Sequence, residues 1–95
     1  MNLNTRVTAA ADQVSADLQG EAVILHLKSG VYYGLNPVGA LIWQQLQLPR
    51  TVSELRDAVL AEYNVDPRTC EQDLYALLGD LQASNLVETA DEPSA

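Results

Sequence analysis

The 95-residue sequence is poor in the residues from which catalytic and metal sites are built. It has one cysteine, Cys70, one histidine, His26, one tryptophan and no phenylalanine. A single cysteine cannot form an internal disulfide, and one Cys with one His gives too few ligands for a zinc site without added carboxylates. The chain also lacks a GxSxG elbow, a P-loop, a GxGxxG loop and an HExxH motif. We therefore expect no enzymatic activity, no metal and no cofactor.

Basic residues are scarce and apolar runs are short. The chain has five Lys and Arg against 13 Asp and Glu, a net charge of −8, and all of that charge lies in residues 51–95, where ten acids face only Arg56 and Arg68. An acidic half repels a phosphate backbone, so we expect no nucleic acid partner, whereas a basic peptide or protein would be attracted. No segment is apolar enough to cross a bilayer, and residues 1–7 lack the features of a signal peptide. We expect a cytoplasmic protein without a membrane partner.

Three short antiparallel strands are predicted between residues 13 and 35. The segments QVSADL, AVILHLK and VYYGL are separated by breaks at Gln19-Gly20 and Ser29-Gly30, where glycine supplies the positive φ of a hairpin turn. The middle segment is apolar on both faces, and we expect His26 to be a packed, hydrogen-bonded side chain within it. Length and composition predict one domain over residues 13–88, preceded by a loose segment, 1–12, and followed by a flexible tail, 89–95.

Three helices are predicted after the strands. Asn36-Pro37 and Asp66-Pro67 each combine an N-cap with a proline at the first helical position, and Thr51 with Glu54 fits a capping box. Asn85 is suited to a left-handed cap after the third helix. The apolar stripe of that helix comprises Cys70, Leu74, Leu77, Leu78 and Leu81. Strands followed by helices predict an α+β fold that resembles a winged helix-turn-helix in its parts.

Two segments, AVILHLKSGVYYGLNPVGALIW and DPRTCEQDLYALLGDLQASNLVE, together resemble the PqqD-like proteins, also called RiPP precursor peptide recognition elements. Within that family, the YYGLN strand end before a helix is most similar to the stand-alone leader-binding proteins of lasso-peptide pathways. The resemblance spans residues 13–88. It implies three strands packed on three helices, and a non-catalytic domain that binds the leader segment of a precursor peptide as a fourth strand. A separate leader peptidase, and a cyclase or other modifying enzyme, would then act on the captured peptide.

The third predicted strand, residues 31–35, is the last of the meander, so one of its edges has no partner nearby in the sequence. No Lys, Pro or charged residue protects this edge, and an exposed edge accepts an extended peptide. If Val31, Tyr33 and Leu35 face the core, Tyr32 and Gly34 face away, and Gly34 leaves room for a second backbone. Alternatively, Tyr32 covers the outer face of the sheet and Gly34 marks a bulge.

The third helix is predicted to form the other wall of the peptide site. At about 100° per residue, Leu77 lies at one margin of the apolar stripe beside Asp73, and Tyr75 lies at the other. We favour the Leu77 margin, because a carboxylate there could pair with a basic leader residue. Cys70 is interpreted as a small buried residue rather than a nucleophile. The predicted peptide-binding residues are Val31, Tyr32, Tyr33, Gly34, Leu35, Cys70, Asp73, Leu74, Leu77 and Leu78.

Other functions remain open at the level of sequence. The domain could be a PqqD-type chaperone for a radical-SAM enzyme, a winged-helix DNA-binding regulator, or a subunit that scaffolds an enzyme without contacting its substrate. The DNA-binding alternative requires outward basic residues on the third helix, which offers only Arg68. The oligomeric state is also open, since an unprotected edge can pair with a second copy of itself.

Overall fold

Four strands come first in the chain, and the three helices follow with two further short strands. In the structure, a computed structural model that describes residues 1–90, the strands are β1 (Arg6–Ala9), β2 (Gln13–Leu18), β3 (Glu21–His26), β4 (Tyr32–Leu35), β5 (Arg50–Thr51) and β6 (Val87–Ala90). The helices are α1 (Pro37–Gln45), α2 (Val52–Glu62) and α3 (Pro67–Ala83). The predicted α+β class is confirmed, with two three-stranded sheets rather than one.

Strands β2, β3 and β4 form the antiparallel meander that the sequence predicts. Gln19 and Gly20 join β2 to β3, and their φ angles are 55° and 86°. Positive φ at both central residues is the signature of a type I′ turn, whose twist matches an antiparallel hairpin. Gly30, with a φ of 72°, provides the corresponding bend before β4. These turns set the register of the three strands.

One face of the meander packs on the helices. Ala22 and Ile24 of β3 are buried, and the register pairs them with Leu35 and Tyr33 of β4. Leu35 is buried and Tyr33 packs against the core, so both face inward as predicted, and Tyr32, which precedes them, is 69% exposed on the opposite face.

Val31 is a correction to the sequence prediction, which assigns it to the core. It precedes β4 and is 58% exposed. The alternation of side chains does direct it to the same face as Tyr33, but an open cavity rather than the core lies on that side.

A second sheet, in the order β5-β1-β6, contains residues that the sequence predicts to be loose. Strand β1 lies within the predicted loose segment 1–12, and Val7 at its centre is fully buried. The four-residue strand RVTA has a single large apolar side chain, which is too short a pattern to be recognised from sequence. Thr89 and Ala90 of the predicted flexible tail belong to β6, while residues 91–95 of that tail lie outside the described residues. Pairing of β1 with β6 joins the two ends of the described chain.

The predicted helix caps are confirmed. The Asn36 side chain accepts a hydrogen bond from the Gly39 N–H at 2.9 Å, and Asp66 accepts from the Thr69 N–H at 3.0 Å. Thr51 and Glu54 form the reciprocal capping box at the start of α2. Asn85, with a φ of 59°, is in the left-handed region after α3.

The core lies between the inner face of the meander and the three helices. Gly39 brings α1 close to the end of β4, because a Cβ at that position would lie only 3.1 Å from a methyl carbon of Leu35. The largest fully buried side chains come from both sheets, from helices α2 and α3 and from the adjoining loops, and they are Thr5, Val7, Ile24, Leu46, Val52, Leu55, Leu74, Leu78, Leu81 and Leu86. Helix α3 supplies three of these and also flanks β4, so the same helix stabilises the core and forms one wall of the site described next.

Candidate functional site

Strand β4 has a free edge. Among the described residues its only sheet partner is β3, and β6 at the end of the described chain pairs with β1 in the other sheet. The edge carries no charge and no proline between residues 31 and 35. Such an edge is a template for an added strand, because it lacks the features that usually prevent pairing.

The hydrogen-bond pattern identifies the backbone groups that face this edge. The His26 N–H donates to the Val31 carbonyl at 3.0 Å, and the His26 carbonyl accepts from the Gly30 N–H at 2.8 Å, so the backbone groups of His26 face the turn and β4. Bonded and non-bonded pairs alternate along an antiparallel ladder, and the register then directs the backbone groups of Tyr33 and Leu35 towards β3. The N–H and C=O groups of Tyr32 and Gly34 therefore point outward. An added strand could form up to four backbone hydrogen bonds with these two residues.

A largely apolar cavity of about 330 Å³ lies between β4 and α3. Residues 33–35 form its strand side, and Cys70, Asp73, Leu74 and Leu77 form its helix side. The remaining lining residues are Asn36, Val38, Gly39, Ile42, Val59, Val65 and Thr69. Its volume lies at the lower end of the range for small-ligand pockets, which suits side chains of a peptide rather than a large cofactor.

A second cavity of about 240 Å³ lies at the other end of β4. It is lined by His26, Ser29, Val31, Tyr33, Ser84, Asn85 and Leu86. Tyr33 lines both cavities. Because the end of β4 faces the first half of α3, and its start faces the turn after α3, strand and helix run in opposite directions. The two cavities thus follow one another along the free edge, and we call them together the β4/α3 groove.

The electrostatics of the β4/α3 groove favour binding over chemistry. Burial, and then the neighbouring Asp73 carboxylate, raise the pKa of the Cys70 thiol above its ordinary value of 9.0, so the side chain is a neutral thiol near pH 7. Burial, and then Asp80, raise the pKa of Tyr33 above its ordinary value of 10.0, so its phenol keeps its proton. Asp73 and Asp80 are themselves exposed and form an acidic rim.

Most of the residues predicted to bind peptide line the first cavity, namely Tyr33, Gly34, Leu35, Cys70, Asp73, Leu74 and Leu77. Val31 lines the second cavity, and Tyr32 contributes backbone groups while its side chain lies on the outer face of the sheet. Leu78 is fully buried in the core and lines neither cavity. The helix margin that faces the groove is the one with Leu77 and Asp73.

Sequence reasoning missed the residues that other elements contribute to the groove. Val38 and Ile42 come from α1, and Val59 comes from α2. Helical periodicity shows that such residues are apolar and inward, but it does not show which of them border an opening. Val65 offered a usable signal in the sequence, because it is a large apolar residue just before a helix cap. In the structure its side chain is 41% exposed.

His26 is hydrogen-bonded, as predicted, but it is half-buried on a cavity wall rather than packed within the core. Its Nδ1 accepts from the Ser29 N–H at 3.2 Å and lies 3.0 Å from the Ser29 hydroxyl. The prediction treated β3 as covered along its full length. The strand ends at His26, where the cover given by the helices also ends.

In the described part of the chain, no helix has the length and apolarity required to cross a membrane, and no group of three or more His, Cys, Asp or Glu side chains could hold a metal ion.

The fold and the site define a small α+β domain with an open sheet edge beside an apolar groove. The chain belongs to the PqqD family, since residues 21–87 match the family described as "Coenzyme PQQ synthesis protein D (PqqD)". The family resemblance predicted from the sequence is confirmed.

Two solved structures share this fold. One is "TbiB1 in Complex with the TbiA(beta) Leader Peptide", with 39% identity and a TM-score of 0.81, covering 90% of this chain and 99% of that one. The other is "Lasso peptide synthetase B1 complexed with the leader peptide", with 26% identity and a TM-score of 0.75, covering 86% of this chain and 96% of that one. No match was found among curated protein sequences.

Proposed function

We propose that this protein binds the leader segment of a ribosomally made precursor peptide by adding it as a strand to β4. The observation that carries the proposal is the free edge of β4 beside the β4/α3 groove. Support also comes from the two solved structures of the same fold, both of which are described as complexes with a leader peptide. Strand addition to an open edge is a common mode of peptide recognition, in which adjoining pockets supply the specificity.

The energetics require both the edge and the groove. Four backbone hydrogen bonds contribute roughly 1 kcal/mol each, which does not exceed the several kcal/mol that association and ordering of a flexible peptide cost. Micromolar affinity corresponds to about 8 kcal/mol net. Two or three apolar leader side chains in the groove would contribute roughly 1.5–3 kcal/mol each. Leu77, which is partly exposed, and Val65, which is exposed, offer apolar surface for that burial.

The charge of the domain favours a leader with basic residues near the groove. Asp73 lines the first cavity and Asp80 lies near Tyr33, while the whole chain carries a net charge of −8. An exposed ion pair contributes about 1 kcal/mol or less, so these carboxylates would speed association more than they would hold the bound peptide. They also disfavour the DNA-binding alternative, since α3 has Arg68 as its one basic residue.

We further propose that the protein is not an enzyme, and that it presents the leader to separate modifying enzymes, a leader peptidase and possibly a cyclase. Cys70 is protonated and mostly buried, which makes it a poor nucleophile. A domain of this kind contributes by raising the local concentration of the substrate at its enzyme. Incubation of the purified protein with a precursor peptide should therefore leave the peptide mass unchanged, whereas adding the protein to the pathway's leader peptidase should raise the rate of cleavage.

Binding is tested directly with a fluorescein-labelled TbiA(beta) leader peptide and a scrambled version of it. Fluorescence polarisation should show saturable binding of the leader and none of the scrambled peptide. In the complex, the amide hydrogens of Tyr32 and Gly34 should become protected from exchange, because each would donate to the added strand. Absence of saturable binding by this leader and by any precursor leader encoded beside the gene would refute the proposal.

A further inference from the structure

The second cavity is mostly apolar in exposed surface, like the first, but it presents a different set of polar side chains. Polar side chains of His26, Ser29, Ser84 and Asn85 line it, and Ser84 and Asn85 have no side-chain hydrogen bond to any residue in the described range 1–90. The first cavity is bordered mainly by Leu, Ile and Val side chains. The groove therefore offers two mostly apolar compartments, which Tyr33 divides, and the second of them also presents several polar side chains.

The hydrogen bonds of His26 fix the position of its ring proton. The Ser29 backbone N–H donates to Nδ1 at 3.2 Å, and a backbone N–H cannot accept, so Nδ1 carries no hydrogen. The tautomer that accepts this hydrogen bond at Nδ1 has its ring hydrogen on Nε2. None of the hydrogen bonds among the described residues uses Nε2 as a donor. His26, which lines the second cavity, therefore carries a ring N–H that has no acceptor among residues 1–90.

The charges around His26 disfavour a charged occupant. Lys28 and Asp12 line a neighbouring cavity that His26 also lines, and they are paired with each other at 3.0 Å. Glu88 lines that neighbouring cavity too. Among residues 1–90, no charged side chain lines the second cavity itself. An ion entering it would lose hydration without gaining a direct partner, whereas an uncharged polar group would lose little.

We propose that the second cavity is a specificity subsite for an uncharged polar leader side chain that carries a hydrogen-bond acceptor, as in Asn, Gln, Ser or Thr, and that His26 Nε2 is its donor. This inference rests on the proposed function and adds the residue class that the groove selects. Inward-facing positions of an added strand recur every second residue, about 7 Å apart. The polar residue would therefore stand two or four positions from the residue that fills the first cavity.

The test is a double-mutant cycle between protein and peptide. The TbiA(beta) leader and its single alanine variants are titrated by fluorescence polarisation into wild-type protein and into His26→Ala. His26→Ala should weaken binding roughly three- to ten-fold, the effect of one neutral hydrogen bond. The loss of affinity caused by His26→Ala should vanish with only one peptide variant, the one that lacks the polar acceptor. Leu77→Ala should show the same kind of coupling with a different peptide position.

Two further variants separate recognition from folding. Asn85→Gly removes a polar group from the same cavity and suits the left-handed backbone at that position, so it should weaken binding and couple to the same peptide residue without loss of stability. Lys28→Ala changes only the neighbouring cavity and should show no such coupling. If the wild-type protein binds the leader but no peptide position couples to His26, or if the coupled position is apolar or charged, the subsite alone is overturned. Absence of wild-type binding would overturn the proposed function and the subsite together.

Discussion

Replacing Gly34 with proline removes one N–H from the free edge of β4 and leaves the β3–β4 ladder complete, because the Gly34 backbone groups face away from β3. Proline is tolerated on an edge strand when the missing N–H would have faced solvent. No heavy atom lies within 4 Å of a Cβ at this position, and its φ is not in the left-handed region. We expect the free energy of unfolding to change by no more than about 1 kcal/mol.

Peptide binding should suffer far more than stability. The variant loses one hydrogen bond, about 1 kcal/mol, and leaves a peptide carbonyl unpaired within the new ladder, which costs about 1–3 kcal/mol. The proline ring also occupies the space into which that carbonyl would fit. A total of roughly 2–4 kcal/mol corresponds to a dissociation constant at least about 30-fold higher.

Ser15→Pro is the matched control, since Ser15 lies on β2, the opposite edge of the same sheet. The Leu27 N–H donates to the Asp12 carbonyl at 3.0 Å, so alternation directs the Ser15 backbone groups to the outside as well. Affinity for the labelled TbiA(beta) leader is measured by fluorescence polarisation, and stability by urea unfolding followed by circular dichroism. Undiminished binding by a folded Gly34→Pro protein, or an equal loss in Ser15→Pro, would refute strand addition at β4.

Three further predictions address the groove and the second sheet. Leu77→Ala should weaken leader binding about ten-fold, measured by fluorescence polarisation, with little loss of stability. Leu78→Ala, at the next residue, which lies in the core, should lower the free energy of unfolding by about 2–5 kcal/mol in urea titrations. Because the pKa of Cys70 is raised, its alkylation by iodoacetamide should be slow near pH 7 and should accelerate as the pH rises past 9.0. Bound leader should slow the alkylation, since Cys70 lines the first cavity. Mass spectrometry measures the labelling rate, and fast labelling that is unaffected by the leader would contradict this prediction. Val7→Ala should destabilise the protein by roughly 2 kcal/mol in urea, and an unchanged midpoint would contradict the packed β1 seen here.

Local signals predicted the parts of the fold that local chemistry determines. The two glycine turns, the Asn36 and Asp66 caps and the Thr51–Glu54 capping box each depend on residues within four positions of one another, and the structure contains all of them. The second sheet was missed because its strands are short and far apart in the chain. Strand β1 pairs with β5 and β6, so its stability derives from contacts that no local pattern encodes.

The candidate site was predictable where one element determines it. Alternation along β4 predicts that Tyr33 and Leu35 face inward and that Tyr32 faces out, and helical spacing predicts the Leu77 margin of α3. The contributions of α1, α2 and the turn after α3 depend on how separate elements pack, so Val59 and Asn85 could not be assigned to the groove from sequence. His26 shows the same limit, since its exposure depends on where the helices stop covering β3.

The β4 edge and the β4/α3 groove make different kinds of contact with a bound peptide, and this difference determines how selective the domain can be. Backbone bonds from Tyr32 and Gly34 form equally well with any extended peptide that lacks proline at the bonded positions, so they orient the ligand without reading its sequence. Discrimination must then come from the side chains that alternate into the groove, where the two cavities flank Tyr33. Residues of the bound strand that face the opposite side would lie beside the exposed Tyr32 ring and could vary freely. A leader recognised in this way needs only two or three defined positions, which leaves the rest of its sequence free to vary.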